Sequence, residues 1–125
     1  MSLTCPRFDP HCVRSESLTP SLVQQRGMRP ALYVDMDVDI YISAYQALDW
    51  LCAHRLIRRG TILGYDDWLW GVVVDHGKAG GEALVNGEAR AHEEVISKRY
   101  GLKVRRLAGA NGQGGAAFTV KEVPW

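Results

Sequence analysis

The chain has 125 residues, the size of one domain, and at 46% hydrophobic it carries enough apolar side chain to bury a core rather than stay disordered. Fifteen basic residues against fourteen acidic ones leave a formal charge of +1 with no long run of either sign, which argues against a nucleic-acid groove driven by phosphate neutralisation. No apolar stretch approaches the ~20 residues needed to span a bilayer, and residues 1 to 10 lack the apolar core of a secretory signal, so the expected location is cytoplasmic.

Residues 1 to 16 mix Pro6, Pro10, His11 and Arg14 without helical or strand period and read as a loose arm, leaving 17 to 125 as the ordered unit. Ser21 after Pro20 is placed to cap a short helix that stops at Gly27. From Ala31 the run Ala-Leu-Tyr-Val-Asp-Met predicts a strand buried on both faces, ending in Asp35, Asp37 and Asp39. Ser43 and Gln46 have capping-box spacing, and Ala44, Ala47, Leu48 and Leu51 follow the helical period, so a helix is predicted from about 43 to 58.

Thr61-Ile-Leu-Gly-Tyr predicts a second strand, which runs into Asp66, Asp67 and Trp68. After a glycine-rich stretch, Glu88 to Tyr100 places Ala89, His92, Ile96 and Tyr100 on one helical face, with Gly101 at the C-terminal cap. Leu102 to Leu107 and Ala117 to Val123 are β-prone and joined by a glycine-rich linker, so they are expected to pair as an antiparallel hairpin. The order strand, helix, strand, helix, strand, strand specifies an α/β sheet, mostly parallel, with a terminal hairpin.

In an open α/β sheet, ligands bind beyond the carboxyl ends of the strands. Asp37 and Asp39 follow the first strand, and Asp66 and Asp67 follow the second. Parallel pairing of the two strands would gather these carboxylates, and like charges that close call for a hard divalent cation such as Mg²⁺. The competing reading is that the first group solvates a loop and the second caps a turn.

Asp37-Val-Asp-Ile-Tyr41, Ser43, Leu48, the run Gly60-Thr-Ile-Leu-Gly-Tyr-Asp-Asp-Trp68 and the segment Glu88 to Gly101 resemble the C-terminal half of the macrocin O-methyltransferase family. That family belongs to the class I S-adenosylmethionine-dependent methyltransferases. Its pattern includes Asp-x-Asp-Leu-Tyr, a helix, then Gly and a strand closing with Asp-Asp-Tyr. The Ser17-Leu-Thr-Pro20 segment is similar to the stretch before that pattern, so the resemblance covers about residues 17 to 123.

The resemblance implies a partial Rossmann-like sheet, S-adenosylmethionine as methyl donor and a small-molecule hydroxyl as acceptor. It also implies Mg²⁺ held by Asp37, Asp66 and Asp67, with Asp39, Tyr41 and Trp68 as residues that support the ligands or touch the substrate. Ile40 replaces the family's Leu and Trp68 its Tyr. Nothing before residue 17 resembles the half that holds the glycine-rich cofactor loop and the ribose-binding acidic residue, so no cofactor-binding residue is assigned. The glycines at 109, 112, 114 and 115 precede a strand instead of opening a helix, and read as a hairpin turn.

Under this reading the outer edge of the first strand lacks its usual neighbour, and a homodimer or partner chain is expected to cover it. Three functions stand: a methyltransferase fragment, a stand-alone metal-binding module, and a non-catalytic interaction domain descended from an enzyme. Among other residues, Asp75-His76 near Trp70 reads either as an exposed loop or as a substrate crevice with a general base. His11, His54, His76 and His92 show no metal-ligand spacing, and His92 reads as a half-buried helix residue. Cys5, Cys12 and Cys52 form no Cys-x-x-Cys pair and are assigned no chemistry.

Overall fold

The computed structural model describes residues 18–38, 40–68, 87–107 and 115–125. The elements are α1 (Leu22–Arg26), β1 (Tyr33–Met36), α2 (Tyr41–Ala53), β2 (Ile62–Tyr65), α3 (Gly87–His92) with a π-helical continuation over Glu93–Arg99, β3 (Lys103–Arg106) and β4 (Ala116–Glu122). The predicted alternation of strands and helices is present in the predicted order. No helix among the described residues is long and apolar enough to cross a membrane.

The four strands form one sheet in the order β1-β2-β4-β3. β1 and β2 run parallel, with Met36 opposite Tyr65, while β4 is antiparallel to both β2 and β3. The two C-terminal strands therefore pair as the sequence predicted, but β4 is the one that inserts beside β2 and leaves β3 at the edge.

One face of this sheet carries Val34, Met36, Leu63, Tyr65, Ala116, Phe118 and Val120, all buried. Ala44, Ala47, Leu48 and Leu51 of α2, with Ala91, Val95 and Ile96 of α3 and its continuation, close the same core. The opposite face of β1 is open: Tyr33 is 43% exposed and Asp35 is half-buried. This corrects the expectation of a strand buried on both faces, because among the described residues α2 and α3 cover one side only. Tyr33 lies across Gly64, so closely that a Cβ there would fall 2.1 Å from the Tyr33 hydroxyl.

Three caps differ from the sequence expectation. Ser21 makes no capping bond, its hydroxyl lying instead near the side chains of Thr19 and Gln25. Helix α2 begins at Tyr41 after Ile40, so Ser43 sits inside the helix and is not its cap. The same helix ends at Ala53 rather than near residue 58, because Arg55 takes a left-handed conformation (φ 55). The Leu56 and Arg55 N–H groups then bond back to Leu51 and Cys52, the pattern of a Schellman end. An arginine in that conformation carries a steric cost that glycine lacks, so Arg55→Gly is expected to stabilise the fold by about 1 kcal/mol, read as a higher urea midpoint with unchanged slope.

Beyond the helix, the buried Thr61 secures the entry to both parallel strands. Its hydroxyl donates to the Ala31 carbonyl (2.6 Å) and accepts the Arg58 N–H (3.1 Å). The second long helix also departs from regular α winding. From Glu93 its bonds lengthen to a five-residue span, as in Tyr100 N–H to Val95 carbonyl (3.0 Å), which rotates Val95 as well as Ile96 into the core and leaves Tyr100 beyond the helix end.

Candidate metal centre at the strand ends

Because β1 and β2 are parallel and in register, their carboxyl ends are neighbours, and the Asp66 N–H bonds to the Met36 carbonyl at 3.0 Å. Asp37 leaves β1 at that point, and Asp66 and Asp67 leave β2. Each offers one carboxylate oxygen such that the three atoms lie within 4.8 Å of one another, with Asp66 exposed and Asp37 and Asp67 half-buried. Three hard carboxylate oxygens gathered in this way are the ligand type that Mg²⁺ or Ca²⁺ takes.

A fourth carboxylate underlies the three. Glu88, in the first turn of α3, is completely buried, and its two oxygens accept the Val38 N–H (3.3 Å) and the Asp67 N–H (3.1 Å). Burial pushes its pKa up to about 7, against the pull of those two N–H bonds, and the nearby charges of Asp67 and Asp37 push the same way. No Lys or Arg among the described residues pairs with it. Sequence reading placed Glu88 only as the start of a helix. Its one signal was an acidic residue entering a helix from Gly87, and that is equally the mark of an ordinary first turn.

Trp68 follows the aspartate pair and turns inward onto an aromatic cluster. Its ring centroid lies 5.0 Å from Tyr65, 5.3 Å from His92 and 4.9 Å from Phe118. The Arg106 guanidinium stands 6.0 Å from the same ring. His92 is buried in this cluster, not half-buried as expected, and its Nδ1 shares a 2.6 Å hydrogen bond with the Tyr65 hydroxyl. Burial lowers the His92 pKa to about 4, so the ring is neutral at pH 7 and the direction of its bond with the Tyr65 hydroxyl follows the imidazole tautomer.

Tyr41 opens α2 and donates its hydroxyl to Glu94, while Arg90 lies over its ring (4.1 Å) and pairs with Glu94 at 2.9 Å. Those contacts tie α2 to α3 beside the acidic cluster. Asp39, Trp70, Asp75, His76 and the glycines at 109, 112 and 114 lie outside the described residues, as do His11, Cys5 and Cys12. Cys52 is buried in the core, and burial pushes its thiol up to about 12, which removes it from nucleophilic chemistry at neutral pH.

No protein-family model matches the chain, and no curated protein sequence matches it. Among solved structures, the chain is similar to CalS11, a TDP-rhamnose 3'-O-methyltransferase of calicheamicin biosynthesis in its apo form, with a TM-score of 0.54 and 14% identity over 86% of this chain and 39% of that one. It is also similar to an O-methyltransferase from Bacillus cereus in complex with SAH (TM-score 0.49, 19% identity, 86% of this chain and 46% of that one). A third similar structure is a putative O-methyltransferase from Klebsiella pneumoniae (TM-score 0.45, 20% identity, 80% and 45%). The chain thus spans less than half the length of each of these structures. The likeness to CalS11, together with the mixed sheet, shows that the chain has part of an α/β, Rossmann-like fold.

Proposed function

We propose that this chain forms the metal- and acceptor-binding part of an S-adenosylmethionine-dependent O-methyltransferase of the macrocin O-methyltransferase type, acting on a hydroxyl of a small molecule. The observation that carries the reading is the convergence of Asp37, Asp66 and Asp67 at the carboxyl ends of two adjacent parallel strands. In that position they would hold Mg²⁺, which supplies a Lewis acid that orients an acceptor hydroxyl and lowers its pKa. S-adenosylmethionine, when bound, would supply the sulfonium methyl group that the acceptor hydroxyl takes.

The residues of this chain do the positioning. The aspartates project from rigid strand ends, so their oxygens need little ordering when the acceptor arrives. Trp68, held by Tyr65, His92 and Phe118, anchors the chain directly after the aspartate pair.

Isothermal titration with Mg²⁺, followed by S-adenosylmethionine on the loaded protein, tests this reading. The expected result is stoichiometric Mg²⁺ binding that disappears in Asp66→Ala combined with Asp67→Ala, and heat of S-adenosylmethionine binding in the wild type. Metal binding without cofactor binding would leave a metal-binding module. Absence of both would overturn the proposal in favour of an interaction domain.

A further inference from the structure

We propose that Glu88 is the positioning residue of the acidic site, a clasp that sets the spacing of the two strand-end loops; this rests on the metal-site reading of Asp37, Asp66 and Asp67. Its oxygens take N–H groups from two different loops. One belongs to Val38, directly after Asp37, and the other to Asp67 itself. These residues are 50 and 21 positions away from Glu88 in sequence, so the side chain links segments that the local chain does not.

The choice of residue is informative. An ionisable group with no exposed surface is an expensive way to satisfy two N–H donors, and cores that need only packing avoid it. A carboxylate, however, presents two acceptor atoms at once. The glutamine amide of the same length presents one acceptor and one donor, so it satisfies one loop and sets an NH₂ group against the N–H of the other. A glutamate here, in its carboxylate form, thus holds both loops in one register behind the three ligand oxygens.

Glu88→Gln and Glu88→Asp test the clasp: the first removes the charge and one acceptor, and the second keeps the charge but shortens the reach. Mn²⁺ affinity is measured by titration, melting in chelator reports the apo fold, and amide hydrogen exchange follows Val38 and Asp67. Expected in both variants is a tenfold or greater loss of Mn²⁺ affinity, the usual size for groups that orient ligands. Exchange should quicken at Val38 or Asp67, and the loss of Mn²⁺ affinity should exceed what any fall in apo melting temperature accounts for.

Wild-type Mn²⁺ affinity in both variants would overturn the clasp while leaving the metal site standing. A loss of affinity that merely follows a fall in apo melting temperature would overturn it in favour of a purely structural role. If the wild type itself binds no Mn²⁺, the metal-site reading fails and the clasp proposal with it.

Discussion

Saturating Mg²⁺ is expected to raise the melting temperature of the wild-type chain by roughly 10 °C, and to leave Asp66→Ala combined with Asp67→Ala within about 2 °C of its own metal-free value. A ligand that binds only the folded state at a hundredfold excess over its Kd contributes about 2.7 kcal/mol, and for a domain of this size each kcal/mol moves the midpoint by several degrees. The effect should be large because the apo protein brings Asp37, Asp66 and Asp67 within reach of one another above the buried Glu88, and a cation relieves that repulsion on binding. Comparing each protein with and without metal cancels any change in apo stability that the substitutions cause. Equal shifts in the two proteins would place the cation elsewhere, and no shift in either would remove the site.

The second large effect is a pair of opposed pH dependences, measured in chelator. His92 has a folded pKa of about 4 against an ordinary 6.5. Folding favours its neutral form, so its contribution is full above pH 6.5 and is lost as pH falls toward 4. Glu88 has a folded pKa of about 7 against an ordinary 4.5. Folding favours its protonated form, so its contribution is full below pH 4.5 and is lost as pH rises toward 7.

The two shifts are of similar size and opposite sign, and they nearly cancel across this window. Glu88→Gln removes one side of the balance. Between pH 5 and pH 7 its unfolding free energy should rise by about 2 kcal/mol more than that of the wild type. His92→Gln should show the reverse trend, with stability falling as pH rises. Urea unfolding at pH 5, 6 and 7 reads both, and parallel pH profiles for wild type and Glu88→Gln would show that Glu88 titrates normally in the fold.

Helix ends were the least legible part of the chain. Ser43 had the spacing of a capping box, yet α2 starts two residues earlier at Tyr41, where the hydroxyl contact with Glu94 and the stacked Arg90 join it to the next helix. Capping-box spacing is local and does not encode a tertiary contact of that kind. Arg55 ends the helix in a conformation that sequence assigns to glycine, because the Schellman bonds from Leu56 and Arg55 direct the chain to the buried Leu56 and Ile57.

The amino-acid sequence by itself determined the order of the elements and the position of Asp37, Asp66 and Asp67 at strand ends. Both are local properties: apolar β-prone runs stop where acidic residues begin, and a helical period separates them. The tertiary structure decided what those residues become. Only the parallel register of β1 with β2 turns two separate acidic runs into one cluster, only the insertion of β4 beside β2 brings Phe118 to Trp68 and His92, and only packing of α3 beneath the loops puts Glu88 between Val38 and Asp67. The physical reason is common to all three. A buried carboxylate or imidazole takes its charge state and its partners from groups far away in the chain, and no spacing within the sequence encodes them.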